Sequence, residues 1–240
     1  MLAGQTYLAQ TAPSFSTPVF ATFWFGVVAA IALLAFYLWA RLRDRIYGYY
    51  GGYVASIGVM SLVDHVLGDR LHETIGDEFI YLNNALHFPY ALFYLWFVSS
   101  YFHVSEQSPG WRRFHQLLLT AYAVVLVWLA IDAVRGTHGS EWGILGCNFI
   151  NLISSFVLAA TATHDNRPGA REFLYASLPL AVSGLVLVAQ FLSDASHVGG
   201  PALLAFRTGF IMHVMVFLIA LSVRYRELRV RLGGEVVRDH

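Results

Sequence analysis

The stretch VFATFWFGVVAAIALLAFYLWARLRDR, residues 19–45, determines the fold class, because an uninterrupted apolar run ends in a cluster of arginines. Residues 19–40 carry no charge, and an α-helix of about twenty apolar residues crosses the ~30 Å hydrocarbon layer of a membrane. Arg41, Arg43 and Arg45 follow where the chain would leave the hydrocarbon. Because cytoplasmic loops of membrane proteins are rich in arginine and lysine, this end is predicted to face the cytoplasm.

The same pattern recurs along the chain and predicts seven membrane-spanning helices. The apolar segments are 19–40, 47–67, 79–102, 115–134, 142–162, 173–192 and 202–223. There is no lysine, and twelve of the 15 arginines lie in alternate connections or in the tail after the last segment. This asymmetry predicts an N-terminus outside and a C-terminus in the cytoplasm, whereas six spans would leave one set of arginines on the wrong side.

Composition supports a membrane protein, since 57% of the 240 residues are hydrophobic and only 12% are charged, against about 25% charged in soluble domains. We therefore expect an all-α, polytopic seven-helix bundle in the bacterial inner membrane. It divides into a short extracytoplasmic tail (1–18), a transmembrane domain (19–223) and a basic cytoplasmic tail (224–240). No basic aromatic stripe indicates a nucleic-acid partner, and the lack of lysine excludes a retinal Schiff base.

Polar side chains are placed unevenly among the seven segments. In hydrocarbon such groups are costly unless they face the bundle interior. Segments two, three, five, six and seven carry them, several at helical spacing on one face, and most fall in the predicted outer half. We therefore predict a polar pocket that opens outward between these five helices, with segments one and four more peripheral. The candidate ligand-binding residues are His65, Asn84, His87, Asn148, Asn151, Gln190, Asp194, Arg207 and His213.

Two interpretations of this pocket stay open at the level of sequence. It is a site for a small ligand or a pigment-like cofactor, or its polar groups only bond to one another, at roughly 0.6 kcal/mol per pair. We expect Arg207 to pair with Asp194 across the turn between the last two helices. No cofactor is predicted, and a bound lipid or pigment is left open.

Four glycines of the second segment, Gly48, Gly51, Gly52 and Gly58, indicate a helix that neighbours approach closely. Small residues serve this purpose in membrane helices. The second segment is therefore predicted to allow a neighbouring helix close to its backbone.

A zinc site is an alternative interpretation, because Ser61-x-x-x-His65 resembles the serine–histidine pair of seven-helix membrane hydrolases that include alkaline ceramidases and adiponectin receptors. That family also needs an aspartate in the next helix and a pair of histidines four residues apart in the last. Here the third segment offers asparagines, and His213 has no histidine four residues away on either side. We predict no metal site and no catalytic residue, and a zinc-dependent hydrolase is the weakest alternative.

Three stretches resemble the seven-helix domain of bacterial receptors with diverse intracellular signalling modules, over roughly residues 20–230. They are NNALHFPYALFYLWFVSSYF with SPGWRRF (83–102 and 108–114), AREFLYASLPLAVSGLVLVAQFL (170–192) and FRTGFIMHVMVFLIALSVRYRELR (206–229). In that family the last helix runs into a coiled coil that drives a kinase or cyclase, and the register of ALSVRYRELR is similar.

The resemblance implies a non-catalytic membrane sensor scaffold. Family members usually carry an extracellular carbohydrate-binding-like domain and a cytoplasmic effector, whereas this sequence has short tails, so we expect a role that depends on a partner protein. The alternative is an accessory subunit of a larger respiratory or photosynthetic membrane complex. In that role its aromatic surface, drawn from 18 Phe, 13 Tyr and 6 Trp, packs against partner helices or pigments. The expected partners are membrane lipids and another membrane protein or multi-subunit complex.

Overall fold

A computed structural model describes residues 18–65, 67–76, 78–104, 108–167, 169–193, 205–222 and 225. For 18–22, 64–65, 68–69, 72, 187 and 190–193 it describes the backbone only. The described residues form helices and short connections without a strand. The helices are α1 (Pro18–Leu42), α2 (Arg45–His65), α3 (Gly68–Ile75), α4 (Glu78–Tyr101), α5 (Pro109–Arg135), α6 (Ser140–His164), α7 (Ala170–Ser193) and α8 (Ala205–Ser222).

Seven long helices occupy the seven predicted apolar segments, and in α5 capping residues rather than hydropathy set the ends. This helix begins six residues before its predicted start at 115. Ser108 Oγ accepts a hydrogen bond from the Trp111 amide at 3.2 Å, and Pro109 occupies the first helical position. The same helix ends at Gly136, whose φ of 67° suits glycine.

Helix α3 was not predicted, because it lies in a connection that the apolar pattern left as a loop. Its sequence GDRLHETI places Leu71 and Ile75 four residues apart on one face. Both are half-buried, and the helix packs against α2 and α4. Eight residues are too few for a search based on twenty-residue apolar windows, which explains the miss.

By length and composition, four stretches of the described helices can cross a membrane: Phe23–Leu42, Pro109–Arg135, Ser140–His164 and Ala205–Ser222. The other long helices, α2, α4 and α7, contain more polar residues. Several of these are buried inside the bundle, including Ser61, Ser177 and Ser183, and a hydropathy average treats them as if they faced lipid. The number of crossings and their orientation stay predictions.

Helix α8 packs into the bundle through one face, which is wholly buried, while its opposite face is exposed at Met212, Met215 and Ile219. The residues of the buried face are Phe210, His213, Val214, Phe217 and Leu221. Phe210 packs on Trp24 of α1, with ring centroids 6.1 Å apart. Phe217 packs on Phe97 of α4 at 5.2 Å and on Phe173 of α7 at 4.9 Å. A movement of α8 would therefore change its packing against four other helices, which are α1, α2, α4 and α7.

Helix α2 holds α8 through tyrosine hydroxyls. Tyr47 donates to the Leu221 carbonyl at 3.1 Å, and Tyr50 donates to the Val214 carbonyl at 2.8 Å. Both rings are completely buried. The later residue on α2, Tyr50, bonds to the earlier residue on α8, Val214, so the two helices run antiparallel.

The glycines of α2 sit where neighbouring side chains touch its backbone, as their pattern predicted. A Cβ on Gly48 would lie 3.1 Å from the Trp39 ring and one on Gly51 would lie 3.1 Å from the Phe36 ring, both on α1. On the other side, a Cβ on Gly52 would lie 2.6 Å from the ring of Phe93 in α4. Helix α2 is thus pressed between α1 and α4.

Candidate ligand cavity

A cavity of about 320 Å³ lies between α2, α4, α6, α7 and α8. These are the five helices that the sequence predicted to wall a pocket, and the described lining residues include none from α1 or α5. The lining residues are Tyr53, Ile57, Met60, Asn83, His87, Tyr90, Tyr94, Leu145, Asn148, Phe149, Asn151, Leu152, Leu180, Gly184, Leu185, Val188 and Phe206. Most of the wall is apolar, and none of these residues is Asp, Glu, Arg or Lys.

On α6, Asn148 and Asn151 form the polar part of the wall. Tyr122 of α5 donates its hydroxyl hydrogen to Asn148 Oδ1 at 2.9 Å. Asn151 Nδ2 lies 3.4 Å from both the Ala91 carbonyl of α4 and the Tyr122 hydroxyl. Asn151 Oδ1 has no hydrogen-bond partner among the described residues although the side chain is buried. An acceptor left in this state bears an uncompensated desolvation cost, which destabilises this part of the bundle.

On α4, one aromatic row follows the cavity. The His87 and Tyr90 rings meet edge to face at 5.6 Å, and Tyr94 packs on Tyr53 of α2 at 5.1 Å. The Tyr94 hydroxyl is buried and lies near the hydroxyls of Ser155 on α6 and Ser177 on α7. The row therefore presents mainly ring surface to the cavity.

Tyr53 connects the cavity with the centre of the bundle. Its ring lines the cavity, and its hydroxyl lies 3.3 Å from His213 Nε2 of α8. His213 Nδ1 lies 2.9 Å from the Ala176 carbonyl of α7. Because a carbonyl only accepts, Nδ1 carries the hydrogen, and in the neutral ring Nε2 then accepts from Tyr53. Hydrogen bonds thus connect α2, α8 and α7 in that order, beginning at Tyr53, which lines the cavity.

The structure brings three of the nine predicted site residues onto the cavity wall: His87, Asn148 and Asn151. His213 lies behind Tyr53 instead of on the wall and is completely buried. Asn84, half-buried on α4, is not among the lining residues.

The remaining predicted site residues lie away from the cavity wall or outside what the structure describes. Arg207 lies in the first turn of α8, half-buried, and does not line the cavity. His65 and Gln190 belong to α2 and α7, but their side chains are outside the described residues, as is Asp194 entirely. The expected pairing of Arg207 with Asp194 and a ligand-binding role for all nine residues stay predictions.

Sequence reasoning missed Tyr53 and the apolar part of the wall. Tyr53, Ile57 and Met60 are spaced i, i+4 and i+7, which places them on one face of α2. That spacing could have revealed the wall, but the pattern search followed polar residues, and an apolar face in a membrane helix is indistinguishable from one that faces lipid.

Within the described ranges, no group of three or more His, Cys, Asp and Glu side chains lies close enough to hold a metal ion. Both ring nitrogens of His213 are occupied by Tyr53 and Ala176. His213 thus joins α8 to α2 and α7, and the absence of a metal site stays a prediction.

The helical bundle, its apolar membrane-length helices and its interior cavity define a multi-pass membrane protein. Comparison with family models narrows this class. The chain belongs to the 7TM diverse intracellular signalling family, whose model matches residues 19–224. Comparison with curated proteins and with solved structures gave no significant match. The resemblance seen in the sequence is thereby confirmed, and the bundle is a membrane signalling module.

Proposed function

We propose that this protein is a non-catalytic sensor of the bacterial inner membrane that crosses it seven times, with its N-terminus outside. A small ligand occupies the cavity, and a partner protein in the cytoplasm reads the resulting change in α8. The family's description as a signalling module supports this proposal. The cavity supports it as well, because signalling requires a place where an input acts.

The observation that carries the proposal is the dual position of Tyr53. One side of its ring faces the cavity, while its hydroxyl contacts His213 of α8 at 3.3 Å. If the Tyr53 side chain can take two positions, a ligand in the cavity makes different contacts with the ring in each of them. The ligand therefore binds the two positions with different affinities. Such differential affinity shifts the population of the two positions, and with it the packing of α8.

The chain of hydrogen bonds that begins at Tyr53 continues from α8 to α7, since His213 also contacts the Ala176 carbonyl. The buried face of α8 leaves little room for small adjustments, because Phe217 is enclosed by rings of α4 and α7. Close-packed interfaces switch between discrete arrangements more readily than they deform. A change at Tyr53 would therefore move α8 as a unit, including its C-terminal end at Ser222, which the arginines of the tail follow in the sequence.

The test compares Tyr53→Phe with Tyr50→Phe. Both changes remove one hydroxyl that holds α8, but Tyr53 lines the cavity and Tyr50 does not. The tagged full chain is expressed in its own host, extracted with mild detergent, and the co-purified proteins are quantified by mass spectrometry. We expect a cytoplasmic signalling protein to accompany the wild type, and its yield to change several-fold in Tyr53→Phe but not in Tyr50→Phe.

Other outcomes of the same experiment contradict the proposal. Equal yields in both variants would mean that Tyr53 plays no part in transmission. Recovery of the wild type only as a free monomer would remove the dependence on a partner. A large membrane assembly of fixed composition, insensitive to both variants, would favour the accessory-subunit role instead.

A further inference from the structure

We infer that the cavity opens sideways into the membrane, between α6 and α7, and that an acyl chain of a bilayer phospholipid enters it there. This inference rests on the proposed function, since it names the ligand of the same cavity. It follows from the position of two lining residues, the space beside one glycine, and the depth of the opening along the helices.

Two of the lining residues belong to the outer faces of their helices. Phe149 on α6 is 41% exposed and Leu185 on α7 is 56% exposed, whereas the other described lining residues are buried or half-buried. Helical spacing places Phe149 on the same face as the exposed Ile153. It likewise places Leu185 on the same face as the exposed Val182. A residue that lies on the outer face and also lines the cavity marks a place where the cavity reaches the surface, here the boundary between α6 and α7.

The space beside Gly184 shows that α6 and α7 do not close on each other at this level. A Cβ built on Gly184, which lines the cavity, would have one described neighbour within 4 Å, the Leu152 Cδ2 atom of α6 at 4.0 Å. Where α7 and α8 pack closely, by contrast, a Cβ on Gly209 would lie 2.7 Å from the Pro179 carbonyl oxygen. The opening is therefore a gap at a position without a side chain, between two helices that are otherwise packed together.

The surroundings of this gap are apolar on both sides. Leu152 faces it from α6, and Leu185 and Val188 lie beside it and one turn further along α7. Outside, α6 is a helix of membrane length, so lipid chains cover its exposed face. An apolar space that opens into hydrocarbon fills with hydrocarbon, because an empty one loses the contacts of its lining atoms and water gains nothing there. An apolar cavity of about 150 Å³ binds benzene, so about 320 Å³ holds a longer stretch of an alkyl chain.

Several polar side chains of the wall have partners in the protein and do not call for a polar ligand. The Tyr53 hydroxyl contacts His213, and Asn148 Oδ1 accepts a hydrogen bond from Tyr122. Asn151 Oδ1 has almost no accessible surface. These residues therefore present mainly ring and alkyl carbon to the cavity.

The depth of the opening fits a phospholipid whose head group stays at the membrane surface. Phe149 lies nine residues from the end of α6 at Ser140, and Leu185 lies eight residues from the end of α7 at Ser193. At 1.5 Å per residue these distances are about 12–14 Å. One leaflet contributes about 15 Å to the hydrocarbon layer, so an acyl chain anchored at the surface reaches the opening. The charged head group then has no need to enter the bundle.

Gly184→Leu closes the gap, and Gly146→Leu is its matched control. A leucine side chain at position 184 would occupy the open space beside Leu152. Gly146 lies on α6 and is not among the described lining residues, and a Cβ there would meet no described atom within 4 Å. Both variants replace a helical glycine by the same side chain, but only one of them fills the opening.

The test places the full chain in phosphatidylcholine nanodiscs that contain some phosphatidylcholine with a photoactivatable diazirine in the middle of one acyl chain. After irradiation, peptide mass spectrometry locates the adducts. We expect adducts on Tyr53 and Ile57 of α2, which are buried and line the cavity, in wild type and Gly146→Leu. Their yield should fall at least tenfold in Gly184→Leu. Adducts on Val127 of α5, which is 62% exposed, measure ordinary lipid contact and should be equal in all three proteins.

Three outcomes overturn the inference. Adducts on Val127 without adducts on Tyr53 or Ile57 in wild type would show that acyl chains do not enter. Equal labelling of these two residues in wild type and Gly184→Leu would show that the chain does not pass between α6 and α7. A free fatty acid with the same diazirine that labels them, where the phospholipid does not, would show another source of the alkyl chain.

The folding of the variants and the sensor role are examined separately. Gly184→Val fills the same gap with a shorter side chain should Gly184→Leu lose the Val127 adducts or fail to fold. The comparison of Tyr53→Phe with Tyr50→Phe decides whether the cavity is read by a partner protein, whatever the labelling shows.

Discussion

The two ends of the bundle are built from the same helices and differ in how they are filled. At the end predicted to face the cytoplasm, rings from α4, α7, α8 and the turn after α4 are in contact. Phe173 lies 4.7 Å from Phe102, in that turn, and 4.9 Å from Phe217, and Phe217 lies 5.2 Å from Phe97. Toward the other end the helices enclose a cavity of about 320 Å³. The first arrangement holds the bundle together, and the second leaves a space lined mostly by apolar and aromatic side chains.

The difference shows how one bundle combines stability with a site. Aromatic pairs add about 0.5–1.5 kcal/mol each beyond the burial of their area, so the cluster stabilises the arrangement of α4, α7 and α8. Lost contacts and a buried acceptor without a donor, such as Asn151 Oδ1, destabilise the cavity end. Tyr53 lies between the two regions, with its ring 5.1 Å from Tyr94 and its hydroxyl on His213.

The largest expected effect, and the strongest test of the difference between the two ends, is that of Phe217→Ala. Phe217 is completely buried among four other aromatic residues and His213. We expect the free energy of unfolding to fall by about 3–5 kcal/mol, as for other Phe→Ala changes in cores. Unfolding of the purified protein by sodium dodecyl sulfate measures the loss. Phe149→Ala, at a cavity residue that is 41% exposed, is the control, and an equal loss in both would erase the distinction between the two ends.

A smaller effect is expected where α7 and α8 touch. A Cβ on Gly209 would overlap Ser183 Oγ and lie 2.7 Å from the Pro179 carbonyl oxygen. Gly209→Ala should therefore force the helices apart and lower the free energy of unfolding by about 1–3 kcal/mol. Gly146→Ala gains the same helix propensity without a contact within 4 Å, so it should be neutral or slightly stabilising. A Gly209→Ala variant as stable as Gly146→Ala would mean that α7 and α8 are not in contact at this point.

The smallest expected change in the free energy of unfolding is that of Tyr50→Phe. It sharpens the comparison between the Tyr50 hydroxyl, which only holds α8, and the Tyr53 hydroxyl, which also lies beside the cavity. The lost bond goes to the Val214 carbonyl at 2.8 Å. That carbonyl lies inside α8 and keeps its helical partner, so we expect a loss of about 0.5–1.5 kcal/mol in the free energy of unfolding. The measurement is the same detergent-unfolding experiment. A loss above about 3 kcal/mol would indicate that the hydroxyl holds α8 far more strongly than one hydrogen bond can.

Much of the fold was predictable because hydrocarbon imposes simple rules on sequence. The apolar segments coincide with the seven long helices, and the spacing of Asn148 and Asn151 on one face of α6 pointed to the wall that they form. The short amphipathic helix α3 was not predicted, because its pattern lies outside the membrane-length signal. His213 was assigned to the pocket on its polarity alone, although it bonds to Tyr53 and Ala176.

The sequence by itself determined the seven long helices, the membrane class and which five of these helices carry polar groups inward, since each follows from local periodicity and from the cost of polar atoms in hydrocarbon. Only the tertiary structure decided which inward groups share the cavity and which join helices. Tyr53 and Tyr50 have the same chemistry and lie three residues apart, yet one reaches a histidine beside the cavity and the other a backbone carbonyl. The reason is that a side chain's role depends on what the neighbouring helix presents at that depth, which no single segment encodes.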